Sequence, residues 1–126
     1  MEFPESFIYA GPAFSAPEQP VSAPYFRRQF RLERVPEQAE LLICGIGFYE
    51  LYVNGQRITR GHLAPYISSP DVAVYYDSYD ITPLLKIGEN VLGVWLGNGF
   101  QNNLGGYVWD FDKARFRGAP RFALRL

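Results

Sequence analysis

One cysteine, one histidine and no long apolar run set the first limits on this 126-residue chain. A lone Cys44 excludes an internal disulfide framework and any multi-cysteine metal site. It stands in "LLICGIG", an apolar strand pattern with no histidine near it in sequence. That context reads as a buried, inert thiol rather than a nucleophile. His62, in "RGHLAPY", has neither a second histidine nor a cysteine beside it, so a local hydrogen bond in a loop is preferred over zinc ligation or base catalysis. The net charge of −1 supplies no basic field, and neither nucleic acid nor an anionic membrane is expected as a partner. No apolar run approaches the ~20 residues that span a bilayer. The opening "MEFPESFIYAGPAF" lacks the basic start and apolar core of a signal peptide. The compartment is left open by these features, with the bacterial cytoplasm the favoured expectation. "GNG" and "LGG" are too short to cradle phosphates, and neither a Rossmann fingerprint nor a P-loop is present.

What is abundant is aromatic: ten Phe, nine Tyr and two Trp make up 17% of the chain. Aromatics favour strands, and ten Pro with twelve Gly are the punctuation of an all-β protein. Residues 1–24 carry five prolines and no periodicity, which predicts an extended entry segment with Phe3, Phe7, Tyr9 and Phe14 as anchoring rings. Residues 25–126 read as one β-sandwich domain. In "YFRRQFRL", Phe26, Phe30 and Leu32 alternate with Arg27, Gln29 and Arg31, the mark of a half-exposed strand. "AELLICGIG" is apolar on both faces and predicts a central strand. "FYELYVNGQRI" holds Asn54-Gly55 between apolar alternations, which predicts a hairpin with a type I′ turn. On that reading Asn54→Gly is nearly neutral. "VAVYYDSYDI" predicts a further strand. "TPLLKIG" predicts one helical turn with Thr82 as N-cap, Pro83 in the first helical position and Gly88 past the end. "ENVLGVWLG" predicts a strand burying Leu92, Val94 and Leu96, with Trp95 also assigned to the core. "PRFALRL" begins a last strand that the chain end cuts short. Six or seven short strands and no long helix predict an antiparallel β-sandwich, of the jelly-roll or galactose-binding-domain kind.

Candidate chemistry is sparse. Glycoside hydrolysis ordinarily needs two positioned carboxylates. Asp77 and Asp80 sit where Asp commonly caps or solvates a turn. Asp110 and Asp112 could offer oxygens to a calcium ion, but without EF-hand spacing they read as solvated loop charges, and no cofactor is expected. The remaining stretch is "LGNGFQNNLGGYVWDFDKARF". It mixes the amides of Asn98, Gln101, Asn102 and Asn103 and the carboxylate of Asp110 with the rings of Phe100, Tyr107 and Trp109. Sugars are bound by this mixture, since ring C–H groups lie on aromatic faces while amides and carboxylates take hydroxyls. The same residues could instead dock the loop on its own sandwich or on an adjacent domain, and docking is preferred.

Taken in order, "FRRQFRL", "AELLICGIGFYELYVNGQRI" and "YYDSYDITPLLKIGENVLGVWLGNGF" resemble the N-terminal β-sandwich domain of bacterial α-L-rhamnosidases, over about residues 25–101. A weaker resemblance runs to the jelly-roll domain of β-galactosidases and β-glucuronidases. The rhamnosidase resemblance implies an accessory domain of an enzyme that removes terminal L-rhamnose with inversion. It implies acid and base carboxylates on a separate (α/α)6 barrel, so no catalytic residue carries over to this chain. A partner barrel is thereby expected, with rhamnose-containing carbohydrate as a second candidate partner. A self-standing carbohydrate-binding module is the alternative.

Overall fold

The computed structural model describes residues 6–104 and 109–126. Seven strands are present among them: β1 Tyr25–Leu32, β2 Glu40–Ile46, β3 Phe48–Val53, β4 Gln56–Arg57, β5 Asp77–Asp80, β6 Gly88–Gly97 and β7 Arg121–Arg125. They form a four-stranded sheet in the order β1-β6-β3-β4 and a three-stranded sheet in the order β5-β2-β7. Every ladder is antiparallel. No helix among the described residues is long and apolar enough to cross a membrane.

The core follows from the period of two. Along β6, Leu92, Val94 and Leu96 are buried, and along β3, Tyr49, Leu51 and Val53 are buried. Their partners across the sandwich are Leu41 and Ile43 of β2 and Phe122 of β7, with Ile81 and Leu85 closing one end. Phe26 of β1 meets Phe122 edge to face at 5.0 Å, joining the two sheets. Each fully buried aliphatic chain stabilises by about 1.5–3 kcal/mol. One residue, Gly47, separates β2 in one sheet from β3 in the other. It has φ +118°, and a Cβ there would stand 2.5 Å from the Gly97 carbonyl oxygen, so the corner accepts only glycine.

The hairpin forms as expected, with Asn54 at φ 50° and Gly55 at φ 83°. Asn54 also does more than turn. Its Oδ1 accepts the Val91 N–H at 2.9 Å, and its Nδ2 donates to the Leu84 carbonyl at 2.8 Å and to Asn90 Oδ1 at 2.9 Å. Asn90 is fully buried; its Oδ1 also accepts the Lys86 N–H at 3.0 Å, and its Nδ2 donates to the carbonyls of Lys86 and Gly88. The expectation that Asn54 is replaceable by Gly is overturned, because Gly supplies the turn dihedral but none of these bonds.

Other expectations are corrected. Thr82 is not an N-cap: it is the first residue of a short 3-10 turn, Thr82–Leu84, whose cap position is Ile81. Its hydroxyl instead accepts the Ala39 N–H at 2.8 Å and donates to Asp80 at 2.6 Å, stitching the turn to the start of β2. A second 3-10 turn, Phe111–Lys113, was not anticipated. Pro83 takes the second turn position and Gly88 opens β6. The strand expected over "VAVYYDSYDI" is confined to Asp77–Asp80. Trp95 is not core: it lies on the open face of the four-stranded sheet, 40% exposed and stacked on Tyr25 at 5.0 Å.

Backbone bonds hold the entry segment, and its rings contribute unequally: Phe7 is half-buried, and the Arg117 guanidinium lies over the Phe14 ring. Ile8 forms an antiparallel bridge with Phe122, and Leu96 donates to the Pro24 carbonyl at 3.0 Å. Tyr9 and Phe14 are more than half exposed, and Phe3 lies outside the described residues.

The paired amides predict a graded series in denaturant midpoints. Asn54→Gly should cost about 2 kcal/mol and Asn90→Ala about 3 kcal/mol, because each leaves buried backbone groups without partners. Gly55→Val should cost about 1–2 kcal/mol through the positive φ. Thr82→Ala should cost about 1 kcal/mol with Thr82→Ser near wild type, since the hydroxyl carries the stitch. Wild-type midpoints in both asparagine variants would show that these bonds contribute nothing.

Candidate functional site

The loop between β6 and β7 leaves the sheet at Asn98 and is fixed at its base by amides. Asn98 Nδ2 donates to the Val21 carbonyl at 2.8 Å. Asn102, 1% exposed, accepts the Ser15 N–H at 3.0 Å through Oδ1 and donates through Nδ2 to Ala13 and to Asn98 Oδ1. Gln101 Nε2 donates to the Phe116 carbonyl at 2.6 Å. Arg117 completes the clamp by donating to the Ser15 carbonyl at 2.7 Å while its guanidinium lies 4.9 Å above the Phe14 ring. Two of the amides that resembled sugar ligands in sequence, Asn98 and Asn102, thus hold the loop and the entry segment together. Of the remaining candidates, Asn103 is half-buried, and Asp110 adopts φ 46° and pairs with Lys113 Nζ at 3.1 Å. Tyr107 lies outside the described residues. No group of three or more His, Cys, Asp or Glu that could hold a metal occurs among the described residues.

The rings do converge. Phe48, Phe100, Phe111 and Trp109 form a chain of contacts with centroids 6.0, 5.3 and 6.5 Å apart. Beside them runs a groove of about 460 Å³ whose apolar walls include Phe48, Pro65, Ile67, Phe100, Phe111 and Phe116. Gln101 lines it as well, and its Oε1 is buried without a hydrogen-bond partner among the described residues. Among its lining residues Tyr66 is 87% and Ile67 66% accessible, and Trp109, which touches Phe111, is 76% accessible. Half of this wall comes from residues 65–74, which turn residues had marked only as a loop. The available signal was the large apolar residues, Tyr66, Ile67 and Val74, scattered through a turn-rich stretch.

The other titratable groups have structural partners. Tyr49, at 1% exposure, donates its hydroxyl to Asp77 and lies 3.1 Å from the Tyr79 hydroxyl; burial first, then these bonds, raises its pKa. Asp80 accepts the N–H and the hydroxyl of Thr82, which lower its pKa. His62 makes the local contacts anticipated for it, 3.2 Å from Glu50 Oε1 and 3.0 Å from Arg57 Nη1. Burial, reinforced by the negative charge of Asp77, pushes the Cys44 thiol up to about 11. None of these arrangements pairs an acid with a base across an open cleft.

The sequence profile of the alpha-L-rhamnosidase N-terminal domain matches residues 34–126. The chain is 43% identical over 88 residues to an alpha-L-rhamnosidase of Formosa agariphila, a match covering 66% of this chain and 9% of that protein. It is 33% identical over 86 residues to an alpha-L-rhamnosidase of Streptomyces avermitilis, covering 67% of this chain and 8% of that protein. Among solved structures, the alpha-L-rhamnosidase from Dictyoglumus thermophilum superposes with a TM-score of 0.71 at 28% identity, covering 94% of this chain and 13% of that one. The Streptomyces avermitilis alpha-L-rhamnosidase complexed with L-rhamnose also gives 0.71, at 29% identity and over 84% of this chain and 10% of that one. The chain thus spans between 8% and 13% of the length of these relatives.

The thiol gives a direct check of this inert interior. A pKa raised from 9.0 to about 11 keeps Cys44 protonated in the folded state. At pH 8 the thiolate population then falls about a hundredfold, and burial slows access further. Iodoacetamide should label the native chain at least about 100-fold more slowly than the denatured chain at that pH. Equal rates would show that Cys44 is open and activated.

Proposed function

The chain belongs to the alpha-L-rhamnosidase N-terminal domain family, and from that premise we propose that it is a non-catalytic accessory sandwich that packs against and supports the catalytic barrel of an α-L-rhamnosidase. The observation that carries this reading is the aromatic groove. Apolar walls, four rings in contact, and the exposed Tyr66, Ile67 and Trp109 form a surface that water solvates poorly. Contiguous apolar patches of this kind mark interaction sites on soluble domains. Inter-domain interfaces of about 600–1,500 Å² are built from such rings surrounded by polar groups. The relatives' far greater length supplies a partner of the right kind, a further domain of the same polypeptide.

Support here means fixed geometry. The amide clamp at Asn98 and Asn102 holds the loop before any partner arrives, so little side-chain and loop ordering remains to be met on docking. Carbohydrate contact by the loop is the weaker reading, because the two amides best placed to bond hydroxyls already bond the entry segment.

Two outcomes follow. The 126-residue chain should show no turnover of an aryl α-L-rhamnoside above buffer; a saturating rate that tracks the protein through purification would overturn the non-catalytic assignment. Ile67→Asp with Trp109→Ser should leave the chain's own thermal midpoint within about 0.5 kcal/mol of stability, since both are exposed. The same pair should weaken association with the separately produced remainder of the parent enzyme by tenfold or more, as loss of an aromatic and an aliphatic contact residue does. Undiminished association would remove the groove as the docking surface.

A further inference from the structure

Two of the chain's asparagines, Asn54 and Asn98, are followed by glycine. Asn-Gly is the dipeptide most prone to deamidation, because a glycine nitrogen with no side chain beside it meets the preceding Cγ unhindered. The fold requires glycine at both places. Gly55 has φ 83° and Gly99 φ 52°, and a Cβ on Gly99 would stand 3.2 Å from the Phe48 nitrogen. Two chemically labile bonds are thus kept for conformational reasons, and each asparagine side chain is bonded at both ends. Asn54 Oδ1 accepts the Val91 N–H, while its Nδ2 donates to the Leu84 carbonyl and to Asn90 Oδ1. Asn98 Nδ2 donates to the Val21 carbonyl at 2.8 Å, and its Oδ1 accepts Asn102 Nδ2 at 3.0 Å. From this coincidence we propose that Asn54 and Asn98 are latent deamidation sites held closed by their native amide bonds, with Asn98 the first to open.

The reaction needs no reagent but water. The glycine nitrogen gives up its proton and attacks Cγ; the N–Cγ bond forms, the Cγ–Nδ2 bond breaks, and Nδ2 leaves as ammonia with a proton regained. Water then opens the cyclic imide at either carbonyl, leaving aspartate or isoaspartate. Cγ must turn toward the following nitrogen for this, and Nδ2 must be free to depart. The side-chain bonds of each asparagine oppose that motion, and their partners set the order of release. Asn54 is tied to the head of β6 beside the fully buried Asn90. Asn98 depends on Val21 of the entry segment and on Asn102 of its own loop. Local opening of loops and chain ends costs far less than opening a core strand. The product does not rebuild the lost contacts. A carboxylate at position 54 faces two acceptors, the Leu84 carbonyl and Asn90 Oδ1. Asn90 cannot reverse its own amide without losing the Lys86 N–H and the Lys86 and Gly88 carbonyls. A carboxylate at position 98 keeps Asn102 Nδ2 but cannot donate to Val21, so the entry segment loses an anchor at the base of the loop.

The test incubates the 126-residue chain in mildly alkaline buffer, folded and in urea, and follows each asparagine by mass spectrometry of its tryptic peptides. Position 54 falls in the peptide 35–57 and position 98 in the peptide 87–113. Relative to urea, folding should slow the reaction at Asn98 by about tenfold or more and at Asn54 by about a hundredfold or more, since each rate scales with the population of the locally open form. Asn102→Ala removes a bond from Asn98 and none from Asn54. It should speed the folded-state reaction at Asn98 by about threefold or more and leave Asn54 unchanged, the unmoved Asn54 rate reporting that the variant is folded. A folded-state rate at either site equal to its rate in urea would overturn the proposal. So would Asn54 reacting ahead of Asn98, an Asn98 rate unmoved by Asn102→Ala, or equal acceleration at both sites, which would replace the local lock with global opening.

Discussion

The fold depends on one pair of interlocked amides. Asn90 is wholly buried at the head of β6 and satisfies both ends of its side chain, while Asn54 reaches across from the β3–β4 turn to meet it. Because Asn54 also accepts the Val91 N–H, the hairpin, the turn after Thr82–Leu84 and the first residues of β6 are joined at one point. A buried amide left unbonded costs more than a bonded one contributes, so this joint tolerates few rearrangements. Its leverage comes from topology: β6 is the interior strand that pairs with both β1 and β3. Fixing its start fixes which residues face inward. Leu92, Val94 and Leu96 enter the core, and Trp95 is placed outside.

The same chemistry recurs at the far end of β6. Asn98 and Asn102 bond each other and the backbone of the entry segment, so these two amides turn inward while Phe100 and Trp109 stay exposed. That explains how a stretch rich in amides can present an apolar groove. Proximity in sequence between amides and aromatics is consistent with either a sugar subsite or a docking surface. Only the direction of each amide distinguishes them.

That distinction marks where the sequence was legible. Strands β1, β3 and β6 could be read from the alternation of residues such as Phe26 and Phe30 or Leu51 and Val53, because a half-buried strand repeats every two residues, and β2 from a run apolar on both faces. The type I′ turn was legible because Asn-Gly meets its positive φ requirement. The exposure of Trp95 was not legible. Its parity sets it on the face opposite Val94 and Leu96, but nothing local says whether that outer face is covered. Val74 and Tyr75 have strand composition, yet the β2–β5 ladder ends at Ile43 and Asp77, and propensity alone makes no strand. Thr82 has the composition of an N-cap, but its hydroxyl found the Ala39 amide 43 positions away in sequence. The groove escaped for the same reason, since Pro65, Ile67 and Val74 meet Phe100, Phe111 and Phe116 only in the folded chain.

Rigidity connects the buried amides to the surfaces outside. A binding surface made of rings on a loose loop must order them at the moment of contact, at about 0.5–1.5 kcal/mol for each immobilised side chain. Here Phe48 is carried on β3, one residue beyond the corner at Gly47, and Phe100 sits between the Asn98 and Asn102 clamps. Much of the ordering is therefore met during folding. Phe48 lines both the groove and a small pocket beside Trp95, so a single strand position helps to shape two neighbouring concavities. The glycine corner is what allows this. Without the sharp turn at φ +118°, the chain could not pass from one sheet to the other in a single residue and still deliver the Phe48 ring to that edge.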